Sequence, residues 1–334
     1  MTSTTQQLAH QLTLHSLRQE TPDVWTLNCH SSTPFDYLPG QFVLVEVPHQ
    51  QLRAYTLSSS PGISAHLQLT IRHLPEGRGS TWLTQSLRPG DALSVSGAQG
   101  RFTPQHAQGQ AYLFLAAGSG VTPIMSMTRW LLKHSPDCHL VVIYHVRRAS
   151  DVIFREEWQA LAERYPAQLS LHILVREDNR AGTALSTELL QTLVPDLTRR
   201  TVMTCASTSY MDTARSLLRT LGVADRQIHQ EAFFVPQAAA PNEAAAETCQ
   251  IRIQPWGDLV TTPKGGNLMS ALETAGIPLM AACRQGDCGS CKVKALSGKG
   301  QMGSQTALGQ AELDAGWLLA CCCTVDGDLE ISLL

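Results

Sequence analysis

The 334 residues contain no run of lysines or arginines, and 25 Lys+Arg against 28 Asp+Glu leave a formal net charge of -3. With no basic footprint, nucleic acid is not an expected partner. No stretch approaches roughly 18 uninterrupted apolar residues, the length that a membrane-spanning helix needs. The opening Met1-Thr-Ser-Thr-Thr-Gln-Gln7 lacks the charged and apolar segments of a secretion signal. A cytoplasmic protein without a membrane partner is therefore expected. The 12 histidines form no metal-ligand pattern such as H-E-x-x-H, and they read as surface or core residues. No Ser-His-Asp arrangement follows from sequence order alone, and no internal repeat is evident.

Cysteine is what the chain does have. Ten cysteines without a secretion signal favour metal or redox work over a disulfide framework. Cys283, Cys288 and Cys291 read C-x4-C-x2-C, and Cys321 follows after residues 292–320, the plant-type 2Fe-2S spacing. Within the loop, Gly286 and Gly289 permit tight turns that aim backbone N–H groups at the sulfides. A structural zinc site is the alternative, although zinc sites commonly add a second C-x2-C pair, which is missing here. Residues 321–323 are three consecutive cysteines. Read as the approach to a strand, the segment places neighbours on opposite faces. Cys321 fits the spacing best, Cys322 reads as a packed thiol, and Cys323 shares the face of Cys321 as a fallback ligand. Cys29, Cys138 and Cys249, and equally Cys322 and Cys323, read as small buried or incidental residues.

Composition divides the chain into blocks. Up to residue 108, short alternating runs (41–47 and 66–72) are broken by Pro-Gly at 39/40, 61/62 and 89/90, the pattern of a small antiparallel barrel. From about 110, apolar strands alternate with helical stretches: 112–117 then 123–133, 140–146 then 151–165, 169–175 then 185–193, 201–205 then 211–221. Such alternation implies a parallel sheet. Residues 236–248 lack large apolar side chains and read as a linker, followed by a cysteine-bearing domain over 249–334.

Two segments speak to nucleotide binding. In Gly118-Ser-Gly120-Val-Thr122-Pro123, a glycine turn opens a helix, and its free N–H groups suit a pyrophosphate. A plain strand-to-helix turn reads the same way. In Arg53-Ala-Tyr55-Thr56, a cation, an aromatic face and a hydroxyl share one extended segment. Alternation puts Arg53, Tyr55 and Leu57 on one face and Ala54, Thr56 and Ser58 on the other. Alone, this could be an ordinary exposed strand.

Taken in order, these motifs resemble the ferredoxin-NADP reductase superfamily over nearly the whole chain, with a plant-type ferredoxin fused at the C-terminus. Arg53, Tyr55 and Thr56 match its R-x-Y-[ST] signature, and Gly77 and Ser80 match G-x-x-[ST]. The resemblance implies a flavin barrel (1–108), an NAD(P)-binding α/β domain (109–235), the linker 236–248 and a β-grasp 2Fe-2S domain (249–334). It further implies that Arg53 meets the flavin phosphate, Tyr55 lies against the isoalloxazine, Thr56 bonds near flavin N5, and Gly77 with Ser80 holds the pyrophosphate. Gly118, Gly120, Thr122 and Pro123 would seat the pyridine nucleotide, and Cys205 would position the nicotinamide.

Where the family continues C-G-P, this chain has Cys205-Ala206-Ser207, and Ala206 is expected to narrow the approach and to disfavour a positive φ. Phe233 and Phe234 would lie near the flavin or in the core. Within the superfamily the chain is similar to the NADH-dependent reductases of the hybrid-cluster protein. The implied cofactors are FAD, NADH and a 2Fe-2S cluster, and the implied partner is a protein electron acceptor. Oxygenase reductases share the domain order, and a non-catalytic redox sensor is a third class. Arg147, Arg148 or Arg176 could pair with a 2′-phosphate, which Glu177 and Asp178 would oppose. The resemblance favours NADH.

Overall fold

A computed structural model describes residues 8–333 apart from 49–50, 76, 108, 179–182, 233–246, 255–256, 276, 278, 280–285, 287–288, 290 and 306. The chain divides into two compact units, Met1–Phe233 and Phe234–Leu334.

The first unit opens with six antiparallel strands: β1 (His10–Thr21), β2 (Val24–Ser31), β3 (Phe42–Val47), β4 (Gln51–Thr56), β5 (Leu67–Arg72) and β6 (Ala92–Val95). Their order is β4-β3-β6-β1-β2-β5. Past Thr56 the chain bridges Leu57 to Leu69, and the Ser58 N–H donates to the Gln68 carbonyl at 2.9 Å. The two edges of the sheet thereby meet at Leu57 and Leu69, which closes the expected barrel there. Its interior is filled by alternate residues of facing strands, among them Leu12, Leu14, Leu27, Val43, Val45, Leu69 and Leu93. Two short helical segments follow β5 and β6, α1 (Arg78–Thr81) and α2 (Pro104–Ala107).

Five parallel strands form the rest of this unit: β7 (Ala111–Ala117), β8 (His139–Val146), β9 (Leu169–Val175), β10 (Thr201–Ala206) and β11 (Ile228–Ala232), in the order β11-β10-β7-β8-β9. The crossovers carry α3 (Val121–His134), α4 (Arg155–Arg164), α5 (Thr187–Leu193) and α6 (Thr208–Thr220). Both sheet faces are covered, so β7 and β8 are apolar on both sides. Phe114, Val142 and Tyr144 pack with α3 and Trp158, while Leu113, Leu115, Val141 and Ile143 pack with Leu190 and Leu218. The fourth element starts later than the periodicity predicts. Asp151 ends a 3-10 turn (Ala149–Asp151), and Phe154, just before α4, takes φ 60°, the one left-handed non-glycine among the described residues.

The second unit is a β-grasp fold. Its strands are β12 (Thr248–Gln254), β13 (Asp258–Pro263), β14 (Gly266–Asn267), β15 (Lys292–Ser297), β16 (Gly300–Met302), β17 (Trp317–Leu319), β18 (Cys323–Val325) and β19 (Leu329–Ser332). The larger sheet runs β13-β12-β19-β15-β17, with β12 and β19 parallel and the hairpins antiparallel, and the smaller runs β14-β18-β16. Helix α7 (Leu268–Thr274) lays Leu268, Met269 and Leu272 on a core of Ile251, Ile253, Val293 and Ile331, and α8 (Gln310–Asp314) precedes β17. Residues 236–246 of the expected linker, with Phe233 and Phe234, lie outside the described residues, and Thr248 already opens β12.

Candidate functional site

Strand β4 pairs with β3 so that Arg53 faces Val45, Tyr55 faces Val43 and Thr56 faces Phe42. Arg53 is exposed, Tyr55 half-buried and Thr56 buried. Burial pushes the Tyr55 phenol up to about 12, against the opposing pull of the Arg53 charge, so this ring stays a neutral apolar platform. The Thr56 Oγ1 is shielded from solvent and has no hydrogen-bond partner among the described residues. A buried hydroxyl left in this state fits a site built to bond a ligand.

The Gly77–Ser80 turn lies against the same strand pair. A Cβ at Gly79 would stand 3.2 Å from Val47 Cγ2 and 3.5 Å from Arg53 Cγ, so Gly79 lets the turn rest on Arg53. Ser80 Oγ donates to the Gly77 carbonyl at 2.9 Å and accepts from the Leu74 N–H at 3.1 Å. The Ser80 hydroxyl therefore closes the turn. Backbone N–H groups and the exposed Arg78 side chain are left to meet a phosphate.

At the carboxyl end of β7 the chain makes the Gly118-Ser-Gly120 turn and enters α3. Crossovers from β7 run to one side and β10 lies on the other, the topological switch point where open α/β sheets bind ligands. Gly118 has φ +54°, a conformation that suits glycine. Its carbonyl accepts from the Tyr144 hydroxyl at 3.1 Å. Thr122 Oγ1 donates to the Ser119 carbonyl at 3.0 Å, and Thr122 and Pro123 are both buried in the first turn of the helix. A Cβ at Gly120 would stand 2.0 Å from the Cys205 carbonyl oxygen, so the turn and the end of β10 are in direct contact.

Cys205 is fully buried. Burial, with the Glu231 carboxylate adding to it, holds its thiol well above the ordinary value. It stays protonated at neutral pH, which suits packing and positioning and does not suit nucleophilic attack. The positive φ that Ala206 was expected to resist is not adopted. Ala206 ends β10 in register with Ala232, and Ser207 precedes α6 in extended conformation, without a side-chain capping bond.

Helix α3 links the two halves of this site. From its turn at Gly120 it runs to Ser126, whose Oγ donates to the Ser59 carbonyl and whose own carbonyl accepts from Ser60 Oγ at 2.7 Å. One turn on, the buried Arg129 donates to both Glu157 carboxylate oxygens and to the Ser58 carbonyl. The segment that follows Thr56 and the glycine turn are thus held by one rigid helix.

A cavity of about 500 Å³ opens along the carboxyl ends of the parallel strands. Its walls include Gly118 after β7, His145 and Arg147 at β8, Arg176 after β9, and Ser207 and Tyr210 after β10. The Tyr210 hydroxyl and His145 Nδ1 share a 2.8 Å hydrogen bond, and burial lowers the His145 pKa, so the imidazole is neutral near pH 7. Arg147 and Arg176 line the cavity, whereas Arg148 is exposed and bonded to Glu177 at 3.0 Å. The side chain of Asp178 lies outside the described residues. His145, Tyr210, Arg72 and Gly79 were not singled out from sequence. The signal available for the cavity residues was position, since His145 sits at the end of β8 and Tyr210 in the first turn of the helix after β10.

In the second unit, Cys283 and Cys288 lie outside the described residues. Cys291 and Cys321 do come together, with sulfurs 3.2 Å apart, and the Cys321 carbonyl accepts from Asn267 Nδ2 at 3.0 Å. Gly286 and Gly289 have φ +87° and +70°, the turns that the loop requires. Residues 320–322 form a 3-10 turn and are not extended, so strand alternation fails there. Cys322 is half-exposed with its sulfur 3.6 Å from that of Cys321, whereas Cys323 opens β18, fully buried in the core. Cys323 is therefore packed in the core, apart from the 3-10 turn that carries Cys321 and Cys322. Contacts with Cys291 and Cys322, followed by burial, raise the Cys321 pKa. Thiols crowded in this way fit a cationic iron centre, which relieves the repulsion between thiolates.

Comparison with known proteins agrees with this architecture. Residues 11–103 match an oxidoreductase FAD-binding domain, 114–215 an oxidoreductase NAD-binding domain and 251–326 a 2Fe-2S iron-sulfur cluster binding domain. Together they define a flavin- and pyridine-nucleotide-dependent reductase with FAD, NADH and a 2Fe-2S cluster as its cofactors. The chain is 43% identical to the NADH oxidoreductase HCR of Escherichia coli (strain K12), over 99% of this chain and 100% of that one. It is 31% identical to the glycine betaine monooxygenase reductase subunit of Pseudomonas aeruginosa (strain UCBPP-PA14), over 94% and 92%. Phthalate dioxygenase reductase has the same fold, with a TM-score of 0.65 at 21% identity over 97% of this chain and 98% of that one. The chain belongs to the family of NADH oxidoreductases in which FAD-binding, NAD-binding and 2Fe-2S domains are fused.

Proposed function

We propose that this chain takes electrons from NADH and delivers them singly, through its cluster, to the hybrid-cluster protein in the cytoplasm. A bound flavin accepts a hydride and releases single electrons, the conversion needed between a pyridine nucleotide and a one-electron centre. In this reading Arg53 pairs with the flavin phosphate, Gly77 and Ser80 shape the turn that meets its pyrophosphate, and Tyr55 fixes the ring plane. Thr56 donates its unpaired hydroxyl near flavin N5. Gly118, Gly120, Thr122 and Pro123 seat the nucleotide, and Cys205 positions the nicotinamide as a neutral thiol. Cys283, Cys288, Cys291 and Cys321 ligate the iron. The observation that carries the flavin assignment is the buried Thr56 Oγ1, without a hydrogen-bond partner among the described residues, on the strand that carries an exposed arginine and a half-buried tyrosine.

The acceptor rests on the full-length likeness, 43% against 31% for the oxygenase reductase subunit, and on the resemblance to reductases of the hybrid-cluster protein. The ferredoxin part, 249–334, has six Lys/Arg and eight Asp/Glu, a charge of 6 - 8 = -2, so strong steering toward a basic partner does not contribute. Mixing the NADH-reduced protein anaerobically with purified hybrid-cluster protein tests the acceptor. Rapid reoxidation of the cluster supports it, and reoxidation by an oxygenase component alone replaces it with the oxygenase-reductase reading. A clear preference for NADPH in steady-state rates would overturn the choice of donor.

A further inference from the structure

Three histidines that are far apart in sequence meet on the outer wall of the barrel. Strands β1 and β2 pair Leu14 with Cys29 and Ser16 with Asn28, so His15 is the extra residue of a β-bulge. A bulge re-aims the side chain it carries. On the other side of β2, Cys29 pairs with Leu67, which sets His66 beside His30. The three rings form a closed triangle, with centroids 4.9 Å apart for His15 and His30, 4.7 Å for His15 and His66, and 4.5 Å for His30 and His66. One ring nitrogen from each lies within 4.8 Å of the other two. His66 Nδ1 is shielded from solvent and has no hydrogen-bond partner among the described residues. Alongside, the Ser16, Asn28 and Gln68 side chains are joined by hydrogen bonds of 3.1 and 2.9 Å, which brace the strands that carry the triangle.

We propose that His15, His30 and His66 bind a divalent first-row transition-metal ion, zinc in the first instance, at a site separate from the flavin, nucleotide and cluster sites. Three imidazoles are a borderline-soft nitrogen set that suits zinc, copper or nickel and offers nothing to calcium or magnesium, which take oxygen. A tetrahedral ion with Zn–N near 2.0–2.1 Å brings its nitrogens to about 3.3 Å, a short closure from the observed spacing for two exposed side chains and one half-buried one. Three protein ligands leave a fourth position open. A cleft of about 250 Å³ adjoins the triangle, lined by His30, His66, Phe35, Tyr37, Ser60 and Ser64, and it gives that position room for water or a small anion. When bound, the ion ties β1, β2 and the start of β5 together across the barrel wall, and it stabilises the folded state by mass action.

The test is calorimetric titration of the oxidised holoenzyme with Zn²⁺, comparing wild type with His30→Ala. Because cysteines elsewhere can also take zinc, the comparison between the two proteins decides the matter. The proposal predicts that a binding event present in wild type is weakened at least about tenfold in the variant, together with a zinc-dependent rise in thermal midpoint that the variant lacks. Superimposable isotherms and equal midpoints would overturn it. Copper EPR on the oxidised protein supplies a second reading: nitrogen superhyperfine structure that disappears in His15→Ala supports the site, and a signal indifferent to that substitution contradicts it. Flavin absorbance confirms that each variant folds, and His15→Ala, exposed at the bulge, replaces His30→Ala in the titration if the latter does not accumulate.

Discussion

Gly120 and Cys205 touch through their backbones, and a methyl group on Gly120 would fall 2.0 Å from the Cys205 carbonyl oxygen and 2.5 Å from its carbon. Neither partner can retreat cheaply. Gly120 opens α3, which grips the barrel, while Cys205 is hydrogen-bonded between β7 and β11. Gly120→Ala should cost about 1–3 kcal/mol or more, as overpacking in a filled core does. It should also impair hydride transfer from NADH. Urea midpoints and single-turnover flavin reduction check the two effects.

Thr56→Val removes a hydroxyl that has no partner among the described residues. Stability should change by less than about 1 kcal/mol, since replacing an unsatisfied polar group by an isostere is close to neutral. Flavin reduction should nevertheless slow about tenfold, the worth of one hydrogen bond lost where the reaction occurs. An unchanged rate would remove Thr56 from the site.

The cysteines separate by position. Cys321→Ala should abolish the visible bands of the cluster while flavin absorbance remains. Cys323→Ala, in the core, should keep the cluster and lose about 1 kcal/mol of stability. Absorbance and iron content of the purified variants distinguish them, and loss of cluster in Cys323→Ala alone would reverse the assignment.

Four histidines of the α/β half have lowered pKa values: His145, His172 and His229 through burial, and His139 through burial and the nearby Arg200 charge, opposed by Asp196. The unfolded chain takes up these protons near the ordinary value of 6.5, whereas the folded chain resists until lower pH. Between those limits the unfolded state binds more protons. Stability should therefore hold above about pH 6.5 and fall as the pH drops below it. Urea midpoints between pH 7.5 and 5.5 measure the slope, and a flat profile would contradict the shifts.

How much could be read in advance depended on sequence distance. The glycine turn at 118–120 and the alternating strands of the barrel are local patterns, and each stands where periodicity and turn chemistry place it. At Cys321–Cys323 the strand alternation expected from sequence fails, because residues 320–322 wind into a 3-10 turn. The histidine triangle was invisible for another reason. It needs the pairing of β1, β2 and β5 and the bulge at His15, none of which a linear motif encodes. The cavity residues His145 and Tyr210 fall between these cases, since the strand ends were legible but the wall they share was not.

The central claim is that one chain carries electrons from NADH through flavin to the cluster. Anaerobic titration with NADH, following the flavin and cluster absorbance together, tests it most directly. Both bands should bleach, with the endpoint at about 1.5 equivalents of NADH, two electrons for the flavin and one for the cluster. Bleaching of the flavin while the cluster stays oxidised would contradict it.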